Sequence, residues 1–444
     1  MMRNVIRYIF LVVFVGAFLQ IHAQTSPIRE QHKVKKSETI FGIAKQYDVT
    51  IDELKSVNPE MNLDGFQLKK GDYINIPYAK EKTAPQPAAT TMATKHVRIG
   101  VMLPLHDING DGKRMVEYYR GILLACDRLK KDGISVDVHA WNVPIEADIR
   151  MTLLEKGADK CDIIFGPLYT NMVKPLAEFC QKNNIKMVIP FSITGDDVKK
   201  YANIFQVYQS PTDFNVMAVN SFMERFKGYH PVFIDCNDAT TSSKGAFTAN
   251  LRKALENKKI KYNITNINSS DADFAKAFNK KKPNIVVLNT SRSPELNTTF
   301  AKLNKMVNNG SKADISMFGY TEWFMYTQVY EKLFYQYNAY IPTSFYYNPV
   351  SADTKWIETN YRNWFKTEMM QAIPHFALTG FDHACFFIGG YAKYGKNFNG
   401  TKAEVTYKPV QTPLVFKTEG AGKQNTAFML IHYLKNQTIE SISY

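Results

Sequence analysis

The chain has 444 residues, more than one ordinary hydrophobic core organises, and this length predicts two or three domains. Its 45% hydrophobic and 22% charged residues are the proportions of a folded soluble protein and exclude a disordered chain. The formal net charge of +14 favours anionic partners that carry carboxylates or phosphates, or else reflects a lysine-rich solvated surface.

The first 23 residues have the pattern of a cleaved secretory signal peptide. Arg3 and Arg7 precede an uncharged apolar run over Ile9–Leu19, and Ala23 supplies the small residue before the cleavage point. The run is too short for a stable membrane span. We therefore expect export to the periplasm or cell envelope, no transmembrane segment in the mature chain and no nucleic acid as a partner. Since no cysteine lies near the cleavage point, no lipid anchor is expected.

The cysteines are five in number and show neither a CxxC pair nor metal-ligand spacing. Each lies among apolar residues, which favours buried free thiols. A disulfide between two of the first three is the alternative in an oxidising compartment. We predict no metal and no cofactor. The cysteines are Cys126, Cys161, Cys180, Cys236 and Cys385.

Residues 31–78 predict a strand, two helices and a closing strand in under 50 residues. A short strand lies around Lys33–Lys35, and Ser37 or Thr39 can cap the helix that follows. Thr50 can cap a second helix, which stops at Asn58-Pro59. The closing strand is Tyr73–Pro77.

This segment resembles the LysM family in its Thr-aliphatic-x-x-Ile-Ala helix start, its Asn-Pro and its closing Gly-x-x-Ile-x-Ile-Pro. The resemblance implies binding of N-acetylglucosamine-containing glycans, mainly peptidoglycan, in a groove between the loop after strand one and the loop before strand two. Ser37-Glu38 stands where the family usually has Gly-Asp. The implied glycan-binding residues are Glu38, Thr39, Ile40 and Phe41 on one side, and Asn58, Pro59, Met61, Leu63 and Gln67 on the other. Each apolar member could instead serve the core.

Residues 79–95 are rich in Pro, Ala and Thr and lack periodicity, which predicts a linker. As a flexible coil it would span roughly 23 Å in root-mean-square length. The two flanking modules should then move independently.

After the linker, apolar strands alternate with amphipathic helices. This alternation predicts a doubly wound parallel sheet, and its restart near residue 213 predicts a second one. Strands are predicted at 97–103, 136–141, 161–165, 186–189, 232–234, 261–265, 284–288 and 315–318.

Residues 96–444 resemble the type I periplasmic-binding-protein fold found in branched-chain amino-acid binding proteins. The similar segments are IGVMLPL, YYRGILLACDRL, IIFGPLYT, MVIPFS, FQVYQSPTDF and ALTGFDHACFFI. The fold class is thus α/β, with a small βααβ module and a two-lobed domain. We place lobe one at about 96–208 and 324–395, and lobe two at about 209–323 and 396–444. The stretch from Val415 to Tyr433 is expected to return to lobe two as a hairpin.

The resemblance also implies a ligand cleft at the carboxyl ends of the strands. In amino-acid-binding relatives, hydroxyls after the third and fourth strands hold a carboxylate and an acid of lobe two takes the ammonium group. Thr170 with Ser192 or Thr194 matches the first role and Glu322 the second, with Tyr169 and Tyr320 beside them. Tyr169 and Phe191 are bulkier than usual there. Thr170 and Ser192 could instead only cap the helices that follow.

Motifs of wall hydrolases are missing from the sequence. There is no HExxH, and His375 and His383 stand eight residues apart. Cys385 follows His383 by two residues, a spacing that does not bring side chains together on a helix. The segment 107–112 starts like a calcium loop, but Tyr118 stands where a bidentate Glu is required, so a polar loop at the cleft mouth is favoured. We predict no catalytic residues.

Three functions remain open. The first is a non-catalytic envelope protein in which LysM tethers a ligand- or partner-binding domain, with wall peptide or a wall-synthesis protein as a further partner. Regulation or scaffolding of wall synthesis enters only by analogy. The alternatives are a solute-binding protein of an ABC-type transporter for amino acids or peptides and, third, a peptidoglycan hydrolase.

Overall fold

The computed structural model describes residues 28–36, 38–47, 49, 51–62, 66–77, 95–191 and 195–444. The predicted signal peptide and nearly all of the predicted linker lie outside these residues. The chain divides into two compact units, residues 1–91 and residues 92–444.

The small unit has the predicted order of strand, helix, helix and strand. Its elements are β1 (Ile28–Lys33), α1 (Ile40–Gln46), α2 (Ile51–Val57), a 3-10 turn (Pro59–Asn62) and β2 (Tyr73–Pro77). β1 pairs antiparallel with β2 and lies earlier than the predicted strand around Lys33–Lys35. The core consists of apolar side chains from α1, α2, the 3-10 turn, β2 and the loops beside them: Val34, Ile43, Ala44, Val49, Leu54, Met61, Ile74 and Ile76.

The large unit alternates strands and helices. Its strands are β3 (Lys95–Leu103), β4 (Ile134–Asn142), β5 (Ile163–Phe165), β6 (Lys186–Ile189), β7 (Ile204–Gln206), β8 (His230–Asp235), β9 (Asn263–Asn266), β10 (Asn284–Leu288), β11 (Ile315–Phe318), β12 (Ala339–Thr343), β13 (Phe416–Glu419), β14 (Gly422–Asn425), β15 (Met429–Tyr433) and β16 (Ile439–Ser443). Its α-helices are α3 (Gly110–Lys131), α4 (Ile149–Leu153), α5 (Val173–Asn183), α6 (Asp197–Lys200), α7 (Pro211–Arg225), α8 (Gly245–Asn257), α9 (Asp271–Lys276), α10 (Ser293–Asn308), α11 (Thr327–Gln336), α12 (Ala352–Phe365) and α13 (Phe376–Tyr394).

Two seven-stranded sheets organise the described part of this unit. The first has the order β13-β14-β7-β6-β5-β3-β4, and the second has the order β16-β15-β12-β11-β10-β8-β9. Strands β3 to β7 are parallel, as are β8 to β12. Since both faces of a parallel sheet are covered by helices, its central strands are mostly apolar, as in β10, whose five residues are all buried and all apolar except Asn284. These two sheets confirm the predicted two-lobed α/β fold.

The lobe boundaries differ from the predicted ones in two places. β12 (Ala339–Thr343) pairs in parallel with β11 and belongs to lobe two, although 324–395 was expected in lobe one. The β13–β14 hairpin joins lobe one through β7, although 396–444 was expected in lobe two. Only β15 and β16 return to lobe two, by antiparallel pairing on β12. Strand periodicity shows where a strand lies and carries no information about which sheet edge it extends.

The chain passes between the lobes three times, after β7, after β12 and after β14. The first and third passages are hydrogen bonded to each other, because Gln209 Nε2 donates to the carbonyl of Ala427 at 2.8 Å. Gln424 Nε2 also donates to the carbonyl of Tyr208 at 2.7 Å.

Helices α3 and α13 approach each other very closely in lobe one. A Cβ at Gly121 would lie 1.9 Å from the carbonyl oxygen of Ala377, and one at Gly380 would lie 2.0 Å from that of Tyr118. Only glycine fits at such a distance between backbones. The close approach brings Tyr118 of α3 against His383, one turn along α13 from Gly380.

All five cysteines are free thiols, four of them buried and Cys126 partly so. This agrees with the favoured interpretation of the cysteines and not with the alternative disulfide. Among the described residues, no helix combines the length and the apolar character needed to cross a membrane.

Candidate functional site

The first loop of the small unit is fixed by its own hydrogen bonds. Thr39 caps α1, its hydroxyl accepting from the Gly42 amide at 3.1 Å. The Glu38 carboxylate accepts from the Lys35 amide at 2.7 Å and contacts His32 Nε2 at 2.8 Å. These hydrogen bonds, the amide first, lower the pKa of Glu38. The turn that departs from the family pattern is thus held by the glutamate.

On the other side of the predicted groove, Asn58 is fully buried. Its Nδ2 donates to the carbonyls of Leu54 and Asn75, each at 2.8 Å, and its Oδ1 accepts from the Asn75 amide at 2.8 Å. These hydrogen bonds are all internal to the small unit, which assigns the Asn58 side chain to holding α2 against β2. Met61 belongs to the same core.

The remaining predicted glycan-binding residues that the structure describes are at least partly accessible to solvent. Pro59 and Gln67 are exposed, and Ile40 is partly buried against the core that contains Met61. The side chain of Phe41 and all of Leu63 lie outside the described residues.

The large unit contains a cavity of about 950 Å³ between its lobes. It is bounded by α3 and α13 of lobe one, by α7, α8 and the end of β11 in lobe two, and by the passages between the lobes. This is the volume range of small-molecule sites. The segment interpreted as a polar loop at the cleft mouth contributes Asp111, which lies at the start of α3.

Aromatic side chains supply much of the cavity wall. They come from both lobes and from the passages: Phe191, Tyr208, Phe214, Phe247, Tyr320, Phe345 and Phe376. Several pack on one another; the ring centroids of Phe191 and Phe376 lie 5.7 Å apart, and those of Phe247 and Tyr320 lie 5.8 Å apart.

The charged residues that line the cavity are paired. Lys244 Nζ lies 2.5 Å from Glu322 Oε1 in lobe two, and Arg114 lies 2.5 Å from Asp111 in lobe one. Two cations thus face two anions, so these four side chains sum to zero charge.

The structure brings only part of the predicted cleft set to the cavity. Tyr320 and Glu322 line it. Tyr169 and Thr170 are not among the described residues that line it. The Tyr169 hydroxyl lies 3.4 Å from Oδ2 of Asp111, which does line the cavity. Ser192 and Thr194 lie outside the described residues.

The cavity also reaches His383, a residue that the sequence suggested only as a candidate for hydrolase chemistry. His383 is fully buried, its Nδ1 lies 2.9 Å from the Tyr118 hydroxyl, and its Nε2 has no hydrogen-bond partner among the described residues. Burial lowers the pKa of His383 to about 3 and raises the pKa of Tyr118 well above its usual value, so both groups are neutral. Tyr118 donates to Nδ1, because its buried hydroxyl proton would otherwise lack an acceptor. Nε2 then carries the ring proton.

Two further polar atoms of the lining are buried without a partner in the described part of the chain. They are Gln209 Oε1 and Thr412 Oγ1. A second polar group of each residue makes a hydrogen bond that fixes its position. Gln209 Nε2 donates to the carbonyl of Ala427, and the backbone amide of Thr412 donates to Asp382 Oδ2 at 2.6 Å. Three residues that line the cavity thus each carry one buried polar atom that has no partner among the described residues.

The available sequence signal for this cluster is the polar spacing within α13. Thr379 and His383 stand four residues apart in a mostly apolar helix, which puts them on one face. Asp382, on another face, accepts from Tyr407 and from the amides of Val410, Gln411 and Thr412. This fixes the segment that carries Thr412.

The two units match two known classes of protein. Residues 32–77 match the model of the LysM domain, which confirms the LysM resemblance and indicates peptidoglycan binding. The large unit has the two-lobed type I periplasmic-binding-protein fold.

Solved structures with this fold include a putative branched-chain amino acid ABC transporter protein from Rhodospirillum rubrum. It is 14% identical, covers 78% of this chain and 100% of its own, and has a TM-score of 0.51. The substrate-binding protein LivJ from Streptococcus pneumoniae, solved with isoleucine, is 16% identical over 79% of this chain and 100% of its own, with a TM-score of 0.38. At these identities the likeness concerns the fold alone. No match was found among curated proteins. LysM is not a catalytic family, and its match indicates an extracytoplasmic protein.

Proposed function

We propose that this protein is a non-catalytic component of the cell envelope, in which a LysM module at 31–78 binds peptidoglycan and tethers a ligand-binding domain at 96–444 through the linker at 79–95. The observation that carries the proposal is the LysM match in a chain whose other unit holds a cleft. The predicted signal peptide at 1–23 would deliver it to the periplasm.

The features of the cleft support a binding role. Its lining includes polar atoms without partners among the described residues, one of them on helix α13 and two on segments held by hydrogen bonds, which suits recognition. The cysteines do not suit nucleophilic catalysis, because burial raises the pKa of Cys126, Cys161 and Cys236 to about 12. A role in controlling wall synthesis, through a wall peptide or a synthesis protein, would place the cleft where wall fragments arise.

Sedimentation with purified peptidoglycan tests the proposal. We expect the mature chain to pellet and the chain lacking residues 24–78 to stay in solution. Salt separates groove contacts from surface charge, because screening weakens lysine contacts to carboxylates more than it weakens hydrogen bonds in a groove. Equal pelleting of both chains would show that the basic large domain is the anchor. Release of soluble fragments, lost on mutating one carboxylate, would contradict the non-catalytic assignment.

A solute-binding protein of an ABC-type transporter is the second candidate, and the fold shared with the Rhodospirillum rubrum protein favours it. A peptidoglycan tether does not suit a protein that must diffuse to a permease, so we rank it below the first. Small molecules that co-purify with the native protein, identified by mass spectrometry, would decide between the two.

A further inference from the structure

We propose that the cleft binds a neutral N-acetylated sugar; this inference rests on the cleft being a ligand site, as proposed above. Three features of the cavity carry it: balanced charge, aromatic walls and an unpartnered set of neutral hydrogen-bonding groups.

The charge balance argues for an uncharged ligand. Glu322 is bound to Lys244, and Asp111 to Arg114, so the described residues that line the cavity present no uncompensated charge to attract an ionic ligand. A carboxylate has about four lone-pair sites, so Asp111 and Glu322 can each accept from a sugar hydroxyl while keeping the cation.

The aromatic walls suit the faces of a sugar ring. An aromatic face carries a negative quadrupole that attracts the weakly positive C–H bonds of a pyranose. Phe191 and Phe376 from lobe one and Phe247 and Tyr320 from lobe two place such rings on both sides of the cavity. Closing the lobes on a ring-shaped ligand would bury both of its faces.

The unpartnered atoms match an acetamido group. Its carbonyl needs a donor, which His383 Nε2–H supplies, and its N–H needs an acceptor, which Gln209 Oε1 supplies. The Thr412 hydroxyl can serve either part or a neighbouring ring hydroxyl. A site built from buried polar groups rejects analogues that leave those groups unpaired. A sugar without the acetyl group should therefore bind much more weakly.

Tryptophan fluorescence can observe the large domain alone in the full mature chain, because all four tryptophans (Trp141, Trp323, Trp356 and Trp364) lie outside the LysM segment. We would titrate N,N′-diacetylchitobiose and, as a neutral sugar without acetamido groups, cellobiose. We expect a saturable change with the first and at least tenfold weaker binding of the second.

Thr412→Val is the cleanest variant, since its hydroxyl has no partner among the described residues and its amide contact to Asp382 remains. We expect it to weaken diacetylchitobiose binding about tenfold, as for one hydrogen bond in a buried site. His383→Phe should weaken binding at least as much. His230→Phe is the matched control, because His230 also has an unpartnered buried Nε2 but does not line the cleft.

Equal binding of cellobiose, or binding unchanged in both cleft variants, would overturn the inference. Benzamide, a neutral aromatic amide without a sugar ring, is a third probe. If benzamide binds and diacetylchitobiose does not, the proposed sugar class is wrong although the cleft remains a ligand site. If neither changes the fluorescence, the cleft fails as a site for either ligand, while sedimentation with peptidoglycan separately tests the LysM part of the proposed function.

Discussion

Asp382 and His383 are consecutive and fully buried, yet each serves a different partner. Asp382 is bound to the segment that leads to Thr412, and His383 to Tyr118 and the cleft. Burial favours the neutral form of both, so it raises the pKa of Asp382 to about 6 and lowers the pKa of His383 to about 3. In the same interval of pH the two side chains act on stability in opposite directions.

We expect His383→Phe to make the large domain more resistant to acid than the native protein. The unfolded chain binds a proton at His383 below pH 6.5, whereas the folded chain does not until about pH 3, so stability is lost as the pH falls. The native protein should lose about 2 kcal/mol relative to the variant between pH 6.5 and about 4.5. Denaturant unfolding of both proteins, followed by tryptophan fluorescence, measures the difference. Parallel pH curves would contradict the assignment.

Asp382→Asn is the control, because the contribution of Asp382 to stability should change with pH in the opposite direction. Since the folded pKa of Asp382 is raised above 3.8, its contribution is greatest at low pH and is lost as the pH rises to about 6. The native advantage over this variant should therefore shrink between pH 4 and 6.

Two predicted glycan-binding residues should behave differently in the small unit. We expect Asn58→Ala to unfold or loosen it, at a cost of about 2–4 kcal/mol, because the substitution leaves backbone groups of Leu54 and Asn75 without partners. Gln67→Ala, on an exposed residue, should weaken peptidoglycan binding without changing the fold. Limited proteolysis and sedimentation together separate the outcomes. A folded Asn58→Ala module that fails to bind would instead assign Asn58 to the groove.

Free amino acids should bind weakly or not at all. Glu322, the expected ammonium partner, is engaged by Lys244, and the expected carboxylate partner Thr170 does not line the cavity in the described structure. Calorimetry with the twenty amino acids and with muropeptides checks this. Sub-micromolar affinity for one amino acid, abolished in Thr170→Ala and Glu322→Ala, would place the transporter function first.

The cysteines should be inaccessible to a thiol reagent in the native protein. Burial raises the pKa of Cys180 and Cys385 well above its usual value and that of Cys161 to about 12, so thiolate is scarce. Ellman's reagent should react slowly before unfolding and count five thiols after it, without reductant. A count of three would show a disulfide, with Cys126, Cys161 and Cys180 as the candidates.

The sequence predicted the local elements better than their assembly. The apolar run of β10 and the helical spacing of α3 depend on neighbours in the chain, and both elements were found. The sheet edge joined by β12 depends on long-range hydrogen bonds that leave no periodic pattern. In the sequence, His383 could be compared only with its chain neighbours His375 and Cys385, and neither spacing indicated a site. Its partner Tyr118 is 265 residues away, and that pairing depends on the close helix contact at Gly380.

The three passages between the lobes have a mechanical consequence. Two rigid bodies joined by one strand can twist about it, whereas three connections, two of them bonded through Gln209 and Ala427, resist torsion and leave bending as the soft motion. Opening and closing would then follow a hinge with a single axis. Gln209 belongs both to this hinge and to the cavity lining. A ligand bound to Gln209 would therefore restrict bending at the hinge.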